Sequence, residues 1–498
     1  MTRSSRTRRP AGALALAIAL AMVAGACGSR ANDAQVNEAL GRIGSSRTAG
    51  LTAGDQGGAD AGSAATVDGG TAGDAGGTGG GAAATATNAG ATPSGDSGGP
   101  AGGATGGDAT AAAPAGGNGG ATDVGVTADS ITVANISILT GPVPGLFAGA
   151  AYGADAFLAY QNSQGGVFGR KLKLLVGDDQ FDCGRNRAIT EQYASKAFAF
   201  VGGFTLYDNC GAEYLAKHPD VPDIHNALAR DAGKLPNNFS PSPVRAGAAT
   251  GPFLYAKSKS PGAVGATASL VGDVQSAKDA WVGQKYVLQQ LGYNIKYERL
   301  YSPTETDFTS DIVRMRTGGI KTLVLIAADA KSIARILAAA DQQGFKPEIT
   351  LVGASGYDQQ VLKLASAKAL EGVMLYLPTA MYLGEDNQPE VQLFLSWLKK
   401  THPSASADLF TVYGWTSARL FVQALQAAGP KATRAGLLAS LKKIDDFDSN
   451  GLLAKTGPAS KRPATCYAMI TVHNGKYQRL DPASGYRCDG QYLFLPGA

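Results

Sequence analysis

Residues 131 to 180 read ITVANISILTGPVPGLFAGAAYGADAFLAYQNSQGGVFGRKLKLLVGDDQ. The run Ile131–Leu139 is apolar and ends in a small polar turn, Leu139-Thr140-Gly141-Pro142. An Ala-rich segment of helical character follows from Ala148 to Gln161. A corner of glycines (Gly165, Gly166, Gly169) leads to a second apolar run, Leu172–Val176, which ends in Asp178 and Asp179. Strand, helix and strand in that order make a βαβ unit. In an open α/β sheet, the turn after such a first strand presents backbone amides to a ligand. That turn is the first candidate for a binding site.

The same rhythm continues down the chain. Apolar runs at Phe198–Val201, Val221–His225, Ala263–Val271, Ile295–Tyr301, Thr322–Ala327, Ile349–Val352 and Val373–Pro378 read as strands. Helical patterns lie between them, at Arg185–Lys196, Asn209–Lys217, Ser276–Leu291, Asp307–Thr317 and Ala330–Gln343. Such alternation predicts parallel sheets with helices on both faces. Beyond Pro378 the pattern turns helical, at Gln388–Lys400, Ala407–Ala428 and Ala432–Lys443. The chain then closes with an antiparallel hairpin, Cys466–Val472 and Lys476–Leu480, around His473-Asn474-Gly475. Residues 124 to 498 exceed what one core usually holds, so two lobes are expected.

The N-terminus is a targeting segment. Arg3, Arg6, Arg8 and Arg9 precede the short apolar run Ala11–Val23, which is too short for a permanent transmembrane helix. Ala24-Gly25-Ala26-Cys27 follows and resembles a bacterial lipobox, although Ala24 stands where leucine is commonest. The resemblance implies cleavage after residue 26 and acylation of Cys27, palmitate included, as a membrane anchor. Residues 27–123 are rich in Gly, Ala, Thr and Asp and almost free of large apolar side chains. They cannot bury enough surface to offset ordering, so a flexible tether with a reach of about 50 to 60 Å is expected. Gly95-Asp96-Ser97-Gly98-Gly99 spells a protease-like string, but it lies in this coil and lacks a scaffold for a base and an oxyanion hole.

Cys183, Cys210, Cys466 and Cys488 remain, an even number in an exported chain, which predicts two disulfides. Three pairings are possible, and proximity in sequence favours Cys183 with Cys210 and Cys466 with Cys488. No CxxC occurs, and no metal site or cofactor motif is present in the sequence. The net charge of +4 is small for the length and gives no reason to expect a nucleic-acid partner. The four histidines are scattered, and no catalytic constellation appears. His225 ends a strand at the sheet rim, where it would touch a ligand, titrate near neutrality or serve the structure. Asp178 and Asp179 are adjacent on a strand and point to opposite faces, so they do not share one substrate.

From Val124 onward the chain resembles the type I periplasmic solute-binding proteins of ABC importers, of the branched-chain amino acid class. The resemblance rests on SILTGPVPGLFAGAAYGADAFLAYQNSQGGVFGRKLKLLVGDD, on AFVGGFT (Ala199 to Thr205), on Cys183 just after the acidic strand end, and on Val412-Tyr413-Gly414-Trp415. It implies an α/β fold of two doubly wound lobes with a ligand cleft between them. Lobe I would take 124–241 plus 380–452, and lobe II 242–379 plus 453–498. Strand ends place the cleft candidates at Thr140, Gly141 and Phe147, at Thr205 and Tyr207, and at Asn226 and Ala227 in lobe I. In lobe II they are Gln275, Ser276, Asp329, Ser355 and Tyr357, with Tyr207 and Tyr357 as stacking walls.

Amino-acid-binding relatives hold the ligand ammonium on an acidic side chain near Ser355. Gly353-Ala354-Ser355-Gly356 has none there, and Asp329 would substitute for it or cap a helix. The expected role is a non-enzymatic, lipid-anchored protein on the outer face of the cytoplasmic membrane. It would bind a small molecule such as an amino acid or amide and pass it to a permease and ATPase. A sensing lipoprotein without transport, or a structural envelope lipoprotein with a vestigial cleft, are the alternatives.

Overall fold

The computed structural model describes residues 112–142, 145–384 and 387–497. Cys27, the signal segment and most of the Gly/Ala-rich stretch lie outside the described residues. In chain order the elements are β1 (Ser130–Ser137), α1 (Ala148–Ser163), β2 (Lys171–Asp178), α2 (Cys183–Ala194), β3 (Phe200–Val201), α3 (Asp208–Leu215), β4 (Asp223–Ile224), α4 (Arg230–Lys234), β5 (Gly247–Ala249) and α5 (Gly251–Lys259). Then come β6 (Thr267–Gly272), α6 (Gln275–Gln290), β7 (Ile295–Tyr301), α7 (Thr309–Thr317), β8 (Thr322–Leu325), α8 (Ala330–Gln342), β9 (Ile349–Val352), α9 (Gln359–Leu364), α10 (Ala367–Leu370) and β10 (Met374–Leu377). The last are α11 (Pro389–Thr401), α12 (Leu409–Ala428), α13 (Arg434–Leu441), β11 (Ala468–His473), β12 (Lys476–Asp481) and β13 (Tyr492–Phe494).

The expected βαβ unit forms, with β1 and β2 parallel from Ser130↔Lys171 to Ser137↔Asp178. The first sheet has the order β2-β1-β3-β4 and is parallel. The second has the order β12-β11-β10-β9-β8-β6-β7, parallel from β10 through β7 and antiparallel where the terminal hairpin joins β10. Asn474 and Gly475 both take positive φ (49° and 71°) in the hairpin turn, the conformation that Asn-Gly supplies. The helices after β10 return to the first sheet, and α12 and α11 lie against α1.

The passages between the two sheets are laced together. Ala380 N–H donates to Leu452 O (2.9 Å) and Ala454 N–H to Pro378 O (2.8 Å). The Thr456 hydroxyl donates to Pro241 O (2.8 Å). Both favoured disulfides form, Cys183–Cys210 joining α2 to α3, and Cys466–Cys488 across the end of the terminal hairpin.

Three expectations need correction. The tether was expected to run to residue 123, yet part of this stretch is docked. Arg170 is fully buried and its guanidinium donates to the carbonyls of Thr127 (2.8 Å), Pro430 (2.7 Å), Asn118 (2.6 Å) and Gly120 (2.8 Å). The Asn118 amide adds bonds to Ala128 O and Phe168 O. Backbone carbonyls of a Gly-rich segment thus satisfy a buried cation, a role that side-chain composition does not reveal. The expected strand Ala263–Val271 begins later, because Ala263–Gly265 is a 3-10 turn. Helix α5 was not among the expected elements; its Pro252 stands at the helix N-terminus, where proline is favoured.

Candidate functional site

The parallel strands of each sheet direct their C-terminal ends to one edge, where the candidate residues lie. On the first sheet the Thr140-Gly141 turn is exposed. Asp178 shapes it by accepting the amides of Leu139 (3.0 Å), Thr140 (3.2 Å) and Gln180 (3.0 Å) together with the Thr140 hydroxyl. Gly141 has φ 106°, and a Cβ there would meet Gln180 O at 2.6 Å, so only glycine closes this turn. Asp179 turns inward, accepts Asn186 Nδ2 (3.0 Å), Phe181 N (3.2 Å) and the Thr205 hydroxyl, and is fully buried. The two carboxylates face opposite ways, as strand geometry requires.

Thr205 is therefore engaged with Asp179 and also accepts Tyr207 N–H (3.2 Å). Tyr207 is half-buried, edge-on to Phe181 at 5.4 Å. Asn226 is buried, with its Oδ1 accepting Ser240 Oγ (2.7 Å) and Ser242 N (3.1 Å), while its Nδ2 has no partner. Ala227 is packed with Ala212, Ala229 and Ala232. Thr205, Asn226 and Ala227 thus frame the first lobe from within.

On the second sheet Asp329 caps α8 by accepting Ser332 N–H (3.0 Å), and the Tyr301 hydroxyl donates to it at 3.3 Å. The Ser355 hydroxyl donates to Ala328 O (2.7 Å). Gln275 is exposed and bonded to Asp279, and Ser276 is buried at the start of α6. Tyr357 was expected as a stacking wall and is not one. It is fully buried, its hydroxyl bonded to the backbone of Leu383 and its ring packed edge-on to Tyr382 (4.8 Å) and Tyr477 (4.6 Å). The turn after β9 points this ring into the lobe, which alternation of residue types does not show. Ile326, Ala327 and Ala328, which follow β8, are buried.

The feature that sequence reasoning missed is an aromatic cluster on the first lobe. Phe147 packs against Phe204 (4.8 Å) and Phe410 (4.5 Å), and Phe204 against Phe410 (4.8 Å) and Tyr413 (5.8 Å). Leu146, Leu206, Leu228, Phe410 and Tyr413 are partly exposed around this centre. Phe410 and Tyr413 lie one turn apart at the start of α12, whose N-terminus is fixed by a capping box of Asp408 and Thr411. Their spacing by three places them on one helix face, and this was the available signal. Nothing local linked that face to Phe147 and Phe204.

His225 belongs to a buried ionic group. Its Nδ1 lies 2.6 Å from Asp223 and its Nε2 3.7 Å from Asp208. Asp208 also accepts the amides of Leu228 (2.6 Å) and Ala229 (3.0 Å). Burial works against the imidazolium, but Asp223 and Asp208 outweigh it and push His225 up to about 10, so it does not titrate near neutrality. The folded value lies above the unfolded value of about 6.5, so this stabilisation is complete below that pH and is lost as pH rises through about 10. His225→Gln is expected to cost about 3 kcal/mol near neutral pH, because it leaves two carboxylates without their cation. Urea unfolding of both proteins across a pH series checks this, and the gap should narrow as pH passes about 10. A gap independent of pH would remove the ionic role.

Among the described residues, no group of three or more His, Cys, Asp or Glu is placed to hold a metal ion. No helix among them is long and apolar enough to cross a membrane.

Two α/β sheets, laced crossings and candidate residues at the strand ends define a two-lobed binding protein. The profile of the family described as periplasmic binding protein matches residues 130–476, and the chain belongs to that family. Its members are extracytoplasmic binding proteins that work with ABC transporters. Among solved structures, the fatty acid ABC transporter substrate-binding protein from Thermomonospora curvata is 19% identical with a TM-score of 0.63, covering 76% of this chain and 96% of its own. The branched chain amino acid ABC transporter from Thermus thermophilus with bound valine is 16% identical, TM-score 0.62, covering 72% and 97%. The branched-chain amino acid transporter substrate binding protein LivJ from Streptococcus pneumoniae, in complex with isoleucine, is 16% identical, TM-score 0.57, covering 71% and 100%. No curated protein matches the sequence. At these identities the likeness concerns the fold.

Proposed function

We propose that this protein captures a small apolar-tailed solute between its lobes and delivers it to an ABC importer. It would work from the outer face of the cytoplasmic membrane, held by acylated Cys27 and the Gly/Ala-rich tether. The lobes are taken as 124–241 plus 380–452 and 242–379 plus 453–498. The observation that carries the reading is the aromatic cluster at the strand ends of the first lobe, with Leu146, Leu206, Leu228, Phe410 and Tyr413 partly exposed. Burying a hydrocarbon tail contributes about 0.8 kcal/mol per methylene, so such a wall binds without an ion pair.

The opposite rim supports the same class of ligand. Asp329 is committed to a helix cap and to Tyr301, and the preceding Ile326, Ala327 and Ala328 are buried apolar residues. An α-ammonium group would find no dedicated partner there, whereas a fatty acid, aromatic acid or amide does not need one. Among the structural neighbours, one is named as a fatty acid transporter's binding protein and another holds valine, both ligands with apolar tails.

A thermal-shift series of medium-chain fatty acids, aromatic acids, amides and branched-chain amino acids tests the reading. A ligand bound only by the native state raises the melting temperature. We expect the tailed acids or amides to do so. Phe410→Ala should weaken the best of them at least tenfold, which is about 1.4 kcal/mol. If no compound in the series shifts the melting temperature, the solute-binding reading fails. Mass spectrometry of the mature N-terminus tests the anchor, which an unmodified Cys27 would sink.

A further inference from the structure

A recess lies where the first and third passages between the sheets run side by side. Its volume is about 180 Å³ and its lining includes Arg230, Lys234, Arg245, Ser460, Lys461 and Phe494. Four of these side chains are cations, and no carboxylate lines the recess among the described residues. The nearest acid in sequence, Asp231, is exposed on α4 and is not part of the lining.

Arg230, Lys234 and Arg245 have no carboxylate partner in this lining among the described residues. The Arg245 guanidinium stacks over the Phe494 ring at 4.9 Å, while its backbone carbonyl accepts the Tyr492 hydroxyl at 2.6 Å. Lys461 takes a left-handed backbone conformation (φ 56°), uncommon for a residue with a Cβ. Its ammonium donates to Leu235 O (2.9 Å) and Asn238 O (2.7 Å), which leaves one of its three donors. Burial pulls Lys461 down to about 8, with Asp223 opposing and Arg245 adding to the effect. Clustered like charge in a recess raises its affinity for an anion. Arginine forks bind planar or tetrahedral oxyanions through paired hydrogen bonds.

We propose that this recess binds an oxyanion of the phosphate class, either a soluble phosphate or the phosphate headgroup of an anionic lipid. It does not rest on the solute-binding assignment. The bound anion bridges the 230–234 helix, the Arg245 passage and the Lys461 turn.

The test uses the full chain with two probes. Inorganic pyrophosphate is titrated in a thermal melt against sodium chloride at matched ionic strength. Co-sedimentation is measured on phosphatidylglycerol vesicles with phosphatidylcholine vesicles as baseline. Arg230→Gln/Arg245→Gln is the test variant, since neither guanidinium makes a hydrogen bond among the described residues that folding would miss, and Arg245→Lys keeps the charge. We expect a saturable rise in melting temperature with pyrophosphate that chloride does not give, and at least tenfold weaker binding in the double variant. Pyrophosphate binding alone assigns the site to a soluble phosphate. Excess retention on phosphatidylglycerol, lost in the double variant, assigns it to a headgroup. Equal effects of pyrophosphate and chloride with no excess retention on phosphatidylglycerol, or binding undiminished in the double variant, overturn the proposal.

Discussion

Gly153→Ala is expected to destabilise the protein by about 3 kcal/mol or more, the upper range for overpacking a tight contact. A Cβ at Gly153 would overlap the carbonyl of Thr411 on α12. The reverse contact is equally close, since a Cβ at Gly414 would overlap the carbonyl of Ala150 on α1. The two helices therefore touch backbone to backbone, and neither glycine has a side chain to rearrange. In helix interiors alanine is normally favoured over glycine by up to about 1 kcal/mol, so the expected sign is opposite to the local propensity. Gly184→Ala supplies the control, because its nearest neighbour is Asp182 Oδ1 at 3.4 Å and the site has room. Urea titrations should show a large loss for Gly153→Ala and little change for Gly184→Ala. Equal midpoints would mean that the helices part easily. The same contact sets the start of α12, so a folded Gly153 variant should also bind the solute more weakly.

The second large effect is expected at Glu390. This side chain is 4% exposed and accepts Trp415 Nε1 (2.7 Å), Arg419 Nη2 (2.6 Å), Arg419 Nε (3.0 Å) and Asn450 Nδ2 (3.2 Å). It ties α11 to α12 and to the loop that precedes the last passage between the sheets. Glu390→Ala leaves a largely buried guanidinium and an indole N–H without an acceptor, which costs about 3–5 kcal/mol. The double change Glu390→Leu/Arg419→Met removes both charges and should recover most of that loss. Chemical denaturation of wild type, single and double variants decides the point. A double variant as unstable as the single one would show that the cost is lost packing and not an orphaned charge.

Much of the fold is legible because it is written in short-range patterns. The strand and helix of the 131–180 stretch follow from runs of apolar residues and their spacing. The terminal hairpin follows from Asn474-Gly475, since both residues take the positive φ that such a turn needs. The cysteine pairs follow from proximity in sequence, and both bridges form. The opposed roles of Asp178 and Asp179 follow from the two-residue period of a strand.

The candidate site was less legible. Thr140, Gly141, Asp329 and Ser355 lie at strand ends as the alternation implies, but what each side chain bonds to is set by neighbours far along the chain. Tyr357 shows the limit. Position marks it as a rim residue, whereas its ring is turned into the core by Leu383, Tyr382 and Tyr477.

The sequence by itself determines the order of strands and helices in this protein, its turns and the glycines on which they depend. It determines them because backbone sterics and apolar periodicity act over a few residues. The tertiary structure alone decides which surfaces meet. Phe410 and Tyr413 join Phe147 and Phe204, Arg170 collects carbonyls from Asn118 to Pro430, and Lys461 reaches Leu235 across 226 positions. Such groups come together only when the crossings and helices have packed. The energy that selects them is the burial of apolar area and the pairing of buried polar atoms, and neither is a property of any local segment.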